Sequence, residues 1–336
     1  MMRAVQVPYA GGPFELVARP MPQPGPGEVR LTVQACGICH SDVAAKEGGY
    51  PGPSYPIVPG HEVAGVIAAL GPGVAGWAVG QRVGVGWFGG QCGHCGPCRK
   101  GAFMACENPT IPGLTRDGGY AEAMVISANA LALIPDDLAA VDAAPMLCAG
   151  VTTYNALRRC GAGTGDVVAV LGIGGLGHLA IQFAAKMGFR VIAVGRGRDK
   201  AALARQLGAA HYVDGEAEDI AAALNALGGA KAVISTVTGA APLNASVDGL
   251  TFDGKLMVLG VPHDPIVVPA YLLLRGRAIQ GSAGGTGIDS EETMRFSRLA
   301  GVTPMIETLP LERAAEAYER MLSGDARFRM VLTTGL

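Results

Sequence analysis

The sequence is poor in charge. Only 16% of its 336 residues are Asp, Glu, Lys or Arg, against 49% hydrophobic, which excludes a disordered chain and suits a well-buried globular one. No basic tract interrupts the balance of 26 basic and 28 acidic residues, a net charge of −2, so no nucleic-acid partner is expected. No apolar run approaches the ~18 residues of a membrane span, and none follows Met1-Met2-Arg3-Ala4-Val5. We therefore expect a cytoplasmic protein with neither signal peptide nor membrane partner. A disulfide framework belongs mainly to small secreted chains, so the eight cysteines point first to metal binding. There is no internal repeat and no low-complexity linker. The 51 glycines follow no collagen-like period and gather at punctuation points such as Gly71-Pro72-Gly73.

A chain of this length exceeds what one core usually organises, so two domains are expected. The first 150 residues are rich in Gly, Pro and short β-type runs, with strands expected over 29–33, 64–68 and 82–85. They suggest an irregular, mostly β, barrel-like domain. Near residue 150 the character changes. Residues 166–171 form a continuous apolar run, as a strand buried on both faces would. A glycine turn follows, then a largely buried helix over 178–187 and a second strand over 190–194. Further strands are expected over 232–235, 256–259 and 278–280, separated by helical stretches. This alternation predicts a doubly wound parallel sheet. After about residue 284 it stops, and 311–322 reads as a helix.

Gly172-Ile173-Gly174-Gly175-Leu176-Gly177 matches G-x-G-x-x-G between a predicted strand and a predicted helix. In that context Gly172 makes the tight turn, Gly174 lets backbone amides approach a pyrophosphate, and Gly177 lets helix and strand pack. The helix N-terminus adds partial positive charge. About 20 residues on, an acidic residue would bind the adenosine ribose of NAD. Here the sequence reads Gly195-Arg196-Gly197-Arg198-Asp199-Lys200. A small residue at 195 leaves room for a 2′-phosphate, which Arg196, Arg198 and Lys200 would pair with. NADP is therefore expected over NAD, the alternative being a solvated loop that still accepts NAD through Asp199.

Cys92, Cys95, Cys98 and Cys106 place four thiols in fifteen residues. That set suits a closed tetrahedral zinc site of structural type. Four thiolates also hold iron–sulfur clusters, but the spacing is not that of the common ferredoxin runs. A catalytic zinc needs three protein ligands and an open position. Spacing alone does not choose these among Cys36, Cys39, Cys148, Cys160 and the histidines.

Cys36-Gly37-Ile38-Cys39-His40-Ser41-Asp42, Gly60-His61-Glu62, the four-cysteine loop and Cys148-Ala149-Gly150-Val151-Thr152 follow one another in order. With Pro304-Met305-Ile306-Glu307 and Ala326-Arg327-Phe328-Arg329 near the end, the chain resembles the zinc-dependent medium-chain alcohol dehydrogenases over nearly its whole length. The resemblance is to the microbial alcohol dehydrogenase and cinnamyl-type aldehyde reductase branch. It implies a GroES-like, mostly β catalytic domain over 1–149, completed by 285–336, and a Rossmann cofactor domain over 150–284. It also implies two zinc ions per chain.

By the same resemblance Cys39, His61 and Cys148 hold the catalytic zinc, and Glu62 is a carboxylate able to approach it. Asp42 fixes the ligand histidine, and Ser41 bonds the substrate oxygen and relays its proton. His40 and Arg329 contact the pyrophosphate, and Thr152 packs behind the nicotinamide. Trp87 and Phe88 lie where the family has an aromatic wall of the substrate pocket, unless they are plain core. Cys36 and Cys160 read as small buried hydrophobes and His94 as a loop residue. The implied reaction passes hydride between a primary alcohol, or its aldehyde, and NAD(P), with zinc polarising the substrate oxygen. A homotetramer is implied, or a dimer. Competing readings are a zinc-binding interaction module, a zinc-free relative, and a catalytically idle cofactor-binding protein.

Overall fold

The computed structural model describes residues 1–49 and 53–336. Its contacts divide the chain into two compact units. One comprises Met1–Val151, Gly284–Leu299 and Pro304–Leu336, the other Thr152–Ala283 and Ala300–Thr303.

The first unit is built on a seven-stranded sheet whose organiser is the strand Glu28–Ile38. Val29, Leu31 and Val33 alternate inward with period two, and beyond Ala35 the strand is buried throughout. It pairs antiparallel with Val63–Leu70, with Ala123–Ser127 and with Arg329–Thr333. The expected strand over 29–33 is thus only its first half. Gln34 to Ile38 includes Gly37 and lacks alternation, and pairing with two neighbours makes that stretch a strand despite weak local propensity. Arg82–Val85 continues the sheet beside Val63–Leu70. Leu31, Ile67, Met124 and Ile126 are among the fully buried side chains of its core.

The second unit carries a six-stranded parallel sheet. Its spatial order is His211–Asp214, Arg190–Gly195, Val167–Leu171, Ala230–Ser235, Leu250–Val258, Ala278–Gly281. Val168 to Val170 have no exposed surface, which explains the uninterrupted apolar run in the sequence. The chain leaves Val167–Leu171 to one side, returns, and continues on the other, so the strand order reverses there. In such sheets ligands bind beyond the carboxyl ends of the strands at that reversal. The glycine turn begins at that place. The edge strand His211–Asp214 was not expected from the sequence, being four residues long with a histidine and an aspartate at its ends.

Two expectations are corrected. Helix and strand still alternate after residue 284, as Gly287–Ala300, Ile306–Pro310, Ala314–Ser323 and Arg329–Thr333. The last two strands pair in parallel but join the sheet of the first unit. The helix expected over 311–322 begins as a 3-10 turn, Leu311–Arg313, and becomes α-helical only at Ala314.

Candidate active site and metal centres

Cys39 emerges from the buried end of Glu28–Ile38, and Asp42 opens the helix Asp42–Glu47 just beyond it. His61 and Glu62 immediately precede Val63–Leu70. Because Val63 is in register with Cys36, the pairing of these two strands sets His61 and Glu62 beside Gly37 to Cys39. Gly37 donates its amide to the Glu62 carbonyl at 2.9 Å. On the other flank Met330 is in register with Ile38, which brings Arg329 to the same place. Cys148 arrives on a π-helical turn, Met146–Gly150, a local irregularity common at functional sites. Cys39, His61, Glu62 and Cys148 then offer donor atoms that all lie within 4.8 Å of one another.

The electrostatics of this cluster suit a metal. His61 Nδ1 lies 3.1 Å from Asp42 Oδ1, while His61 Nε2 is buried without a hydrogen-bond partner. Proton donation to Asp42 from one ring nitrogen leaves the other as a lone pair, as a ligand histidine requires. Burial alone would lower the His61 pKa, but Asp42 and Cys39 outweigh it and raise it well above the ordinary value. The Cys39 and Cys148 sulfurs are 3.8 Å apart. The Cys148 thiol and then His61 favour the Cys39 thiolate against burial, whereas the Cys148 pKa is pushed up by Cys39 and by burial. Cation binding would displace these protons.

Glu62 has no exposed surface and pairs with the buried Arg329 guanidinium, and its Oε2 has no hydrogen-bond partner. Burial raises its pKa to about 7 even though Arg329 opposes the shift. The carboxylate fits only because residue 37 is glycine, since a Cβ there would lie 2.0 Å from Glu62 Oε2. Arg329 was expected at a pyrophosphate. Its guanidinium is held in this buried pair, where the register of Arg329–Thr333 on Glu28–Ile38 places it.

Sequence reasoning missed Tyr120. Its hydroxyl donates to Asp42 Oδ2 at 3.0 Å, the same oxygen that accepts the Cys39 amide at 2.9 Å. Trp87 meets the His61 ring edge-on, with centroids 5.0 Å apart. Phe88 is buried in the hydrophobic core of the first unit. His40 and Ser41 are exposed, and the Ser41 side chain makes no capping hydrogen bond.

The second cluster, Cys92, Cys95, Cys98 and Cys106, also brings its four sulfurs within 4.8 Å of one another. The amides of Cys92 and Asn108 each reach Cys106 Sγ at 3.4 Å. Backbone amides of His94 and Cys95 lower the Cys92 pKa to about 6. His94 Nδ1 turns back to the Cys92 carbonyl at 2.9 Å and its residue is exposed. Cys160 donates to the Leu157 carbonyl and Cys36 to that of Gly37, so both lie outside the clusters.

In the second unit the three fingerprint glycines are there for three different reasons. Gly172 has φ +93°, a left-handed turn. A Cβ on Gly177, the first residue of Gly177–Lys186, would strike the Gly172 carbonyl oxygen at 1.9 Å. A Cβ on Gly174 would meet nothing within 4 Å. No protein atom requires glycine at 174, so the space beside it suits a bound group lying close against Gly174, Gly175 and Leu176. Lys200 reaches back to the Ile173 carbonyl at 2.9 Å, while Arg196 and Arg198 are exposed. Thr152 is buried at the start of Val151–Arg159.

The sequence matches the alcohol dehydrogenase GroES-like domain over residues 25–136 and the zinc-binding dehydrogenase domain over 175–300. It is 42% identical over 323 residues to alcohol dehydrogenase notN of Aspergillus sp., covering 96% of this chain and 95% of that protein. The chain belongs to the zinc-dependent medium-chain alcohol dehydrogenase family. An NADP-dependent alcohol dehydrogenase C of Mycobacterium bovis is 38% identical, with 92% and 91% covered. A solved NAD-dependent alcohol dehydrogenase superposes with a TM-score of 0.91 at 31% identity, covering 99% of this chain and all of that one. As a zinc alcohol dehydrogenase, the chain is an NAD(P)-dependent enzyme acting on small alcohols or aldehydes. Among the described residues no helix is long and apolar enough to cross a membrane.

Proposed function

We propose that the protein is an NADP-preferring alcohol dehydrogenase and aldehyde reductase for primary alcohols and their aldehydes, with two zinc ions per chain. The observation that carries this reading is the cluster Cys39, His61, Glu62 and Cys148 around the unpartnered His61 Nε2. Zinc held by Cys39, His61 and Cys148 would supply a Lewis acid for the substrate oxygen. Ser41, exposed and not spent on a cap, takes the proton of the substrate hydroxyl and passes it outward. Asp42 and Tyr120 orient His61 and the Cys39 amide, and Glu62 offers a further carboxylate held in place by Arg329. Trp87, edge-on to His61, walls the substrate pocket. Cys92, Cys95, Cys98 and Cys106 hold the structural zinc.

The second unit binds the cofactor. Amides of Gly174, Gly175 and Leu176 receive the pyrophosphate at the N-terminus of Gly177–Lys186, and Thr152 packs against the nicotinamide. Arg196, Arg198 and Lys200 recognise the 2′-phosphate beside Gly195. A homotetramer in the cytoplasm completes the reading. Oxidation of NADPH and NADH is to be followed with benzaldehyde and with a short aliphatic aldehyde, on protein of measured zinc content. Faster turnover with NADPH at two zincs per chain is expected. Preference for NADH overturns the cofactor assignment, and no turnover with either at full zinc content overturns the substrate class.

A further inference from the structure

Gly195 closes the strand Arg190–Gly195, and its backbone is not in the left-handed region, so conformation does not demand glycine there. Space does. A Cβ at 195 would lie 2.4 Å from the Tyr212 hydroxyl oxygen and 3.1 and 3.3 Å from ring carbons Cζ and Cε2. Its three nearest neighbours are all atoms of Tyr212. Tyr212 stands on the edge strand His211–Asp214, in register with Ala193. It is not free to swing away without loss, because its hydroxyl donates to the Gly197 carbonyl at 2.5 Å. From the same strand Asp214, buried, accepts the Gly197 amide at 2.9 Å and the Glu216 amide at 3.1 Å. Both polar groups of Gly197 are thus gripped by side chains of one strand, between the exposed Arg196 and Arg198.

We propose that Tyr212 is a specificity-determining residue for the cofactor. Its phenol fills the volume that a carboxylate at position 195 would need, and it fixes the turn that carries the two arginines. The edge strand therefore keeps an acid out of position 195, and the carboxylate of that strand, Asp214, is occupied with backbone amides. The inference rests on the reading that this turn receives the adenosine ribose. It has a consequence which that reading alone lacks: installing an acid at 195 will not by itself create an NAD site.

Four proteins decide the matter: wild type, Gly195→Asp, Tyr212→Ala and the double variant, with dissociation constants for NADP⁺ and NAD⁺ measured by titration calorimetry. Gly195→Asp is expected to weaken NADP⁺ at least tenfold without tightening NAD⁺, and the double variant to bind NAD⁺ at least tenfold more tightly than Gly195→Asp. Equal gain of NAD⁺ affinity in the single and double variants overturns the role of Tyr212. Wild type binding NAD⁺ more tightly overturns the NADP reading instead, while the comparison of single with double still tests Tyr212. Should Gly195→Asp fail to fold, Gly195→Ala serves through its melting temperature. It is expected to lower it by about 2–4 °C beside Tyr212 and to leave it unchanged beside Tyr212→Ala. Equal shifts in both backgrounds overturn the proposal.

Discussion

Asp42 joins two members of the metal cluster and Tyr120 outside it through two oxygens: His61 on one, the Cys39 amide and the Tyr120 hydroxyl on the other. Tyr120 has no exposed surface, and its phenol is the piece most easily removed without changing shape. Tyr120→Phe is expected to destabilise the protein by about 1 kcal/mol, read by denaturant unfolding. Loss of zinc from the cluster around Cys39 to a chelator should also accelerate by on the order of tenfold, because groups that orient ligands tune metal retention. Unchanged zinc loss would show that Asp42 holds His61 without the phenol. The members of the cluster were legible in the sequence because Cys and His carry their chemistry in their type and the motif order resembles a known family. Tyr120 was not, since it meets Asp42 across 78 positions of chain and looks locally like any core aromatic. Gly37 was equally silent: its necessity appears only once the Glu62 carboxylate is seen beside it.

At the scale of elements, the cysteine loop has little hydrophobic support, its cluster consisting of the buried Cys95, Cys98 and Cys106 with the half-buried Cys92 against them. Its order should therefore depend on metal. Cys98→Ser is expected to lower zinc content from two to one per chain and to reduce the melting temperature, with residual activity in the folded fraction. Full retention of two zincs would refute the assignment. The turn into Glu28–Ile38 is pinned differently. Burial would raise the Glu28 pKa, but the Gly25 amide and Arg116, each at 2.9 Å, outweigh it and hold the carboxylate below its ordinary 4.5. A depressed carboxylate contributes stability that is present above the unfolded value and lost as pH falls through the folded one. The stability gap between wild type and Glu28→Gln should thus be full above about pH 4.5 and close below it, as urea unfolding across pH would record. Elements with strong periodicity or continuous apolarity, such as Val167–Leu171 and Arg82–Val85, were readable from sequence to within a residue. The second half of Glu28–Ile38 and the edge strand His211–Asp214 were not, because register with neighbours, rather than local pattern, makes them strands.

The whole molecule responds to its cofactor through mass action. A ligand at one hundred times its dissociation constant stabilises the fold by about 2.7 kcal/mol, so NADPH should raise the melting temperature of the wild type. Gly174→Ala separates that effect from folding, because its added methyl meets open space in the protein alone. The variant is expected to melt with the wild type when no cofactor is added and to show little or none of the rise with NADPH. A full rise would mean that nothing approaches the backbone there.

That open space at Gly174 has a practical use. Most inactive variants of an enzyme confuse loss of shape with loss of chemistry. A methyl placed where only the guest would notice it is expected to leave fold and metal content as they are while making the protein deaf to the cofactor. Beside such a protein, any binding of alcohol or aldehyde that persists is binding that does not need the cofactor.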